Sequence, residues 1–272
     1  QHERQRDLGD HERARRIATL EASGARVECV TECRSRRLSE SELVERLRET
    51  DCLITCWQPL SRAVLQALSP KLDLVLYWTD IMRADTEAAA ELGVRIENVA
   101  EYGVVAVPEY VVAALLTLLR RPQYHYERTR AGTYDYENFK ASRKSVLLPN
   151  DVQEESLAGK RLGIVGLGRI GTRLARIAHL GFGMQVSYFT RTPPKAMARD
   201  GLRALSLEEL FEWSDIVSLH LPPTAPPGMI DGDLMSRLRP SSILVNTGAA
   251  GPLSYDALLP LLEEGRFRAI LD

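Results

Sequence analysis

Residues 161 to 171 read Arg-Leu-Gly-Ile-Val-Gly-Leu-Gly-Arg-Ile-Gly, a short apolar strand running straight into a GxGxxG turn. Few local patterns restrict a fold so strongly. Leu162, Ile164 and Val165 form the apolar run of a parallel strand buried on both faces, and Ile170, Leu174, Ile177 and Ala178 recur at helical spacing. In such a turn the three glycines have separate tasks. Gly166 lets the strand reverse tightly, Gly168 lets backbone approach a pyrophosphate, and Gly171 lets the helix pack close to the strand. The N–H groups opening the helix then face the phosphates. A second strand, Gln185 to Phe189, follows after Gly181 and Gly183. This strand-turn-helix-strand setting favours a dinucleotide site over an ordinary glycine turn.

A site preferring NAD places an acidic residue about twenty positions beyond the turn, on the ribose 2′-hydroxyl. This chain has Thr190 and Arg191 there, and no Asp or Glu from Met184 to Ala198. A hydroxyl and a guanidinium, with Lys195 and Arg199 nearby, suit a 2′-phosphate, so NADP(H) is favoured over NAD(H). A solvated basic loop on a protein that binds NAD(H) is the alternative.

The 272 residues, 44% hydrophobic and 26% charged, suit a soluble globular protein of two domains. The net charge of −2 offers no electrostatic footprint for nucleic acid or an anionic membrane. No apolar run approaches a membrane span and no signal peptide is visible, so the default expectation is a cytoplasmic protein. The chain opens at Gln1 rather than Met and stops in the strand-like Ala269-Ile270-Leu271-Asp272, which suggests segments missing at both ends. Four cysteines form two CxxxC pairs, Cys29 with Cys33 and Cys52 with Cys56. Both pairs read as extended, and four extended steps separate the sulfurs by roughly 13 Å, too far for one tetrahedral ion. Reduced thiols and no metal are expected.

The first hundred residues alternate helical patterns (10–22, 39–48, 61–68, 85–92) with strands (26–30, 52–56, 73–77, 94–97). Ser39 with Glu42 makes a capping box, and Gly93 stops the last helix. An apolar helix from Val107 to Leu119 ends at Pro122. The polar and aromatic stretch from Tyr124 to Leu157 then reads as a connecting arm, either a dimer contact or a mobile loop. Beyond Arg191, Ser206 and Glu209 cap a helix to Trp213. Strand 215–220, helix 234–238, strand 241–245, a helix from Ser254 to Gly265 and a strand near Arg268 complete the chain. The expected architecture is two doubly wound parallel-sheet domains. Residues 1–102 form an incomplete flavodoxin-like substrate or catalytic domain, and residues 103–272 form a Rossmann NAD(P)-binding domain.

Several motifs carry a family pattern: Leu157-Ala158-Gly159-Lys160, the turn from Gly166 to Gly171, Ser214-Asp215-Ile216-Val217-Ser218-Leu219-His220-Leu221-Pro222, and Ile243-Leu244-Val245-Asn246-Thr247. Together with Asp85-Thr86-Glu87-Ala88-Ala89 and Val107-Pro108-Glu109, they make the chain resemble the D-isomer-specific 2-hydroxyacid dehydrogenases over nearly its whole length. The resemblance implies a homodimer with its active site between a catalytic and a nucleotide domain. It also implies hydride transfer between a nicotinamide and C2 of a small 2-oxo or 2-hydroxy acid. Backbone at Arg169 and Ile170 would meet the pyrophosphate, and Leu221-Pro222 would lie along the cofactor. Thr247 with Gly248 would approach the nicotinamide ribose, and Asp272 would hold the carboxamide. His220 matches a histidine on the cofactor side, with packing or cofactor contact favoured over proton transfer.

The substrate side departs from the family. Its carboxylate-clamping arginine corresponds to Ala249, or to Ala250 if the register slips by one, and its Glu-His proton relay would fall beyond Asp272. The loop that offers backbone to the substrate carboxylate corresponds to Trp78-Thr79-Asp80-Ile81, where Asp80 replaces a glycine. Losing the arginine removes a bidentate clamp and the stabilisation of a developing alkoxide. Three readings stand: an NAD(P)-dependent oxidoreductase whose altered substrate meets Thr79 and Asp80, a catalytically degenerate cofactor-binding sensor or scaffold, and a fragment whose missing segment completes the site.

Overall fold

A computed structural model describes residues 38–56, 58–77, 84–99, 101, 103–132, 154–191 and 202–272, with scattered positions between 15 and 26. The chain divides into two compact units, Gln1–Ala100 and Glu101–Asp272. Both are α/β with parallel sheets.

In the first unit, helix Glu40–Leu47 starts at the expected capping box. The Ser39 hydroxyl accepts from the Glu42 N–H, and the Glu42 carboxylate accepts from the Ser39 N–H at 2.9 Å. Strands β1 (Cys52–Thr55), β2 (Leu74–Tyr77) and β3 (Arg95–Asn98) pair in that order, interleaved with helices Arg62–Leu68 and Thr86–Glu91. Gly93 adopts φ +74 just past the last of these helices, the left-handed position that ends a helix without Cβ strain. Leu43, Val64, Leu65, Val75, Tyr77 and Ala88 fill the core, and the Tyr77 hydroxyl donates to the Gln58 carbonyl at 2.8 Å. Cys52 is the first residue of β1, and Cys56 follows its last. Most of the strand expected at 26–30, with Cys29, and also Cys33, Thr79 and Asp80 lie outside the described residues.

The second unit holds six parallel strands: β4 (Arg161–Val165), β5 (Gln185–Phe189), β6 (Arg203–Ala204), β7 (Ile216–Leu219), β8 (Ile243–Asn246) and β9 (Arg268–Leu271). Their spatial order is β6-β5-β4-β7-β8-β9, the doubly wound order of a dinucleotide-binding domain. Alternation along β4, β7 and β8 buries both faces of the sheet. Leu162, Ile164, Ile216, Ile243 and Val245 face helices Ala106–Arg120 and Arg169–Arg176. Val165, Val217, Leu219 and Leu244 face helices Leu207–Trp213, Gly232–Ser236 and Tyr255–Glu263. Two-sided burial explains why these strands read as nearly unbroken apolar runs.

Two local features differ from the sequence reading. Pro122 does not lead into an arm: Arg121 takes a left-handed conformation (φ 47) and Pro122 opens a second helix, Pro122–Arg130. Proline suits a first helical turn because its missing N–H would have no partner there. The short strand β6 went unrecognised, since two exposed residues carry no alternation of their own. Among the described residues no helix is long and apolar enough to cross a membrane, and no cluster of three His, Cys, Asp or Glu side chains could hold a metal ion.

Gly163, mid-strand in β4, permits the close seat of helix Leu207–Trp213. A Cβ there would stand 2.3 Å from Ser214 Oγ and 2.9 Å from Leu210 Cγ, and Ser214 is itself buried and donates to the Leu210 carbonyl at 2.6 Å. Gly163→Ala should therefore destabilise the second unit by about 1–3 kcal/mol through overpacking. Urea denaturation checks this: the midpoint should fall with an unchanged slope, and an unshifted midpoint would show that the helix moves aside freely.

Candidate dinucleotide site at the carboxyl edge of the second sheet

Parallel pairing is in register across five strands, and this register assembles the site. Phe189, Val165, Leu219, Asn246 and Leu271 lie side by side as the last paired residues of β5, β4, β7, β8 and β9. The residues that follow them are Thr190, Gly166, His220, Thr247 and Asp272. Five positions spread along the chain from Gly166 to Asp272 thus form one row along the carboxyl edge. Backbone bonds extend the ladder past the strand ends: the Gly166 N–H donates to Phe189 O at 2.9 Å, His220 N–H to Val165 O at 2.8 Å, and Asp272 N–H to Asn246 O at 3.1 Å. The strand order reverses at β4, whose neighbours are β5 on one side and β7 on the other, so the row spans the crevice where doubly wound sheets bind ligands.

The three glycines of the turn differ physically. Gly166 has φ +95, and a Cβ there would meet the His220 carbonyl oxygen at 2.4 Å, so the residue serves both the reversal and the approach of the β7 end. At Gly171 a Cβ would meet Gly166 O at 2.2 Å and Ile164 Cγ2 at 3.2 Å, which makes it the helix-to-strand contact. Gly168 has nothing within 4 Å of its Cβ position. It is the N-cap of helix Arg169–Arg176 with no side-chain cap, leaving the N–H groups at Arg169 and Ile170 for an incoming anion. The Arg169 guanidinium stands at the same helix end, 3.2 Å from the Glu101 carboxylate.

Opposite, the turn after β8 is tied to the loop after β7. The Ala249 N–H donates to Leu221 O at 3.4 Å, and the Cβ position of Gly248 lies 3.2 Å from the same oxygen. Within this turn the Thr247 hydroxyl oxygen is buried and has no hydrogen-bond partner among the described residues. A buried hydroxyl left unpaired costs about 1–3 kcal/mol, so a water or a ligand's polar group is its natural partner. A ribose hydroxyl meets that need. The open space at Gly168, the uncapped helix end and this hydroxyl together fit a nicotinamide dinucleotide.

His220 Nε2 is hydrogen-bonded to Ser218 Oγ at 2.9 Å, and Ser218 is fully buried two residues earlier on β7. Desolvation pushes the His220 imidazole down to about 4, which leaves it neutral at neutral pH. The ring is thus engaged with a side chain of its own strand. On the β5 side, Thr190 is half-buried and Arg191 exposed, while Lys195 and Arg199 lie outside the described residues. Leu221 is half-buried and Pro222 exposed at the start of the loop after β7. Asn246 was not singled out from the sequence, although it stands buried beside Thr247; an Asn ending an apolar strand was the available signal.

The neutral His220 makes stability pH-dependent. An unfolded histidine takes up a proton near pH 6.5, whereas the folded one resists until about 4, so this contribution is fully present above pH 6.5 and is lost as pH falls toward 4. In His220→Gln, chemical denaturation midpoints should fall less steeply between those values, by up to about one proton's worth of slope. Identical slopes in the two proteins would contradict a buried neutral imidazole.

Residues 112–272 match the sequence model of the D-isomer specific 2-hydroxyacid dehydrogenase family, NAD binding domain. The glyoxylate reductase of Thermococcus litoralis is 32% identical over 228 residues, covering 82% of this chain and 66% of that protein. The chain thus spans just under two thirds of that relative's length. Among solved structures, an acyclic imino acid reductase in complex with NADPH and D-Arg aligns with a TM-score of 0.68 at 26% identity, over 87% of this chain and 73% of the other. The D-lactate dehydrogenase of Aquifex aeolicus, complexed with NAD and lactic acid, aligns with a TM-score of 0.68 at 25% identity, over 86% and 66%. More than half of the chain matches the family's NAD-binding domain, and the protein belongs to the D-isomer-specific 2-hydroxyacid dehydrogenase family.

Proposed function

We propose that this protein is an NADP(H)-preferring oxidoreductase that transfers hydride to or from a small carbonyl or hydroxy compound, with a substrate altered from the usual 2-hydroxy acid. The observation that carries the cofactor reading is the register row at the carboxyl edge, with the open Gly168 turn and the unpaired Thr247 hydroxyl in it. Arg169 and Ile170 N–H groups receive the pyrophosphate. Thr247 and Gly248 hold the nicotinamide ribose, Leu221 and Pro222 bound the cofactor, and Asp272 binds the carboxamide. When bound, the nicotinamide supplies or accepts the hydride; the chain's part is to hold it and to exclude water from the crevice.

Thr190 follows β5 directly, at the position of the acidic residue in NAD-preferring sites, and Arg191 beside it matches a 2′-phosphate in charge and geometry. Relatives of this fold are found with either cofactor, NADPH in the imino acid reductase and NAD in the D-lactate dehydrogenase. The preference therefore rests on Thr190 and Arg191. The altered substrate rests on Ala249 and Asp80: no Lys or Arg occurs from Ser241 to Gly265 to clamp a carboxylate, and Asp80 would repel one. Residues 1–102 serve as the substrate-side domain and 103–272 as the cofactor domain, and we assign the protein a homodimeric assembly in the cytoplasm by analogy with the family. Ala249 also favours a second reading, a cofactor-binding sensor or scaffold without chemistry.

Titration by nicotinamide fluorescence should show tighter binding of NADPH than NADH, and Arg191→Ala should weaken NADPH about tenfold while leaving NADH unchanged. Tighter NADH binding by the native protein would overturn the NADP(H) assignment. Turnover with a panel of 2-oxo acids, aldehydes, ketones and imines separates enzyme from sensor: tight binding with no turnover of any member would favour the sensor. Robust 2-oxo acid reduction gained in the double variant Ala249→Arg, Asp80→Gly would mark an enzyme whose substrate site had been altered.

A further inference from the structure

Among the described residues the buried polar side chains are those of four serines and Asn246, the last only 2% exposed. A buried carboxamide is costly unless its donors and acceptors are used, and those of Asn246 are spent on one neighbourhood. Its Oδ1 accepts from the Gly248 N–H at 3.1 Å, and its Nδ2 donates to the Ala249 carbonyl at 3.4 Å. Its backbone carbonyl accepts from the Asp272 N–H at 3.1 Å. Asn246 is in register with Leu219 on one side and Leu271 on the other, and the turn it braces is bonded through Ala249 to the Leu221 carbonyl. One residue is thus connected to the loops after β7, β8 and β9.

These loops lie on one side of the crevice. With the pyrophosphate at the Gly166–Ile170 turn, the residue that reads the adenosine ribose stands at the end of β5, where Thr190 is. β7 and β8 lie on the opposite flank of β4, so the nicotinamide half extends over them. Resting on the dinucleotide reading, we infer that Asn246 is a positioning residue for the nicotinamide half of the cofactor. It holds the Thr247 hydroxyl, the Gly248 backbone and the Leu221 loop in one arrangement, and it has no part in binding the adenosine half. Its action is preorganisation: without it the turn must order when the cofactor arrives, and the ordering cost is drawn from affinity.

The test compares whole cofactor with half. In Asn246→Ala, affinity for NADPH should fall about tenfold, the order expected when the hydrogen bonds holding one loop are lost, whereas affinity for 2′,5′-ADP should be unchanged. Asn246→Ser, whose hydroxyl can still accept from the Gly248 N–H, should recover part of the NADPH affinity. Melting curves accompany both variants, and Asn246→Ser supplies the comparison if the alanine variant does not fold. Equal losses for NADPH and 2′,5′-ADP, or no loss for either, would overturn the inference while leaving the dinucleotide reading intact. Wild-type protein that binds neither NADPH nor NADH would overturn both.

Discussion

The second unit depends on the common register of its parallel strands. A shift by one residue in any strand would turn each of its side chains to the opposite face and would also move the strand's end away from the row. The two consequences are linked. Hydrophobic burial on both faces holds the register, because Leu162 and Ile164 must meet one helical layer and Val165 the other. The same register places Gly166, His220, Thr247 and Asp272 along one edge. Packing that contributes only to stability in the interior therefore determines the geometry of a site at its boundary.

Glycine is what makes the row close. At Gly166 the missing side chain leaves room for the His220 carbonyl, and at Gly171 it leaves room for the Gly166 carbonyl. The turn, the fingerprint helix and the end of β7 consequently come together as backbone against backbone. Backbone N–H groups and a helix end are suitable partners for phosphate because they are fixed before the ligand arrives. The polar side chains behind them are mostly satisfied within the protein: Ser218 engages His220, and Asn246 engages the Gly248 and Ala249 backbone. Thr247 is the exception: its hydroxyl is buried and has no partner among the described residues.

Much of the architecture could be read along the chain because its signals are local. The Ser39–Glu42 and Ser206–Glu209 capping boxes formed as expected, since each needs only four consecutive residues. Strands β4, β7 and β8 were legible because burial on both faces leaves an apolar run. Strand β6 was not, since Arg203 and Ala204 are exposed and are a strand only through pairing with β5. Helix Pro122–Arg130 was hidden for a related reason: none of its residues is buried, so its sequence carries no apolar stripe, and proline was read as a stop where it is a start. Helix Gly232–Ser236 begins two residues before the expected start because Asp231 caps it through the Leu234 N–H.

The sequence by itself determined the strand-turn-helix unit, the glycine at its reversal, the absence of an acidic residue after β5 and the absence of any Lys or Arg from Ser241 to Gly265. These are matters of residue type and short spacing. Only the tertiary structure decided which distant residues share an edge, that Gly166 is required as much by the His220 carbonyl as by its own turn, that the His220 imidazole is held neutral, and that Asn246 joins three loops. Each of those depends on groups brought together from far along the chain, where desolvation and close contact arise from the pairing of strands and leave no trace in any single segment.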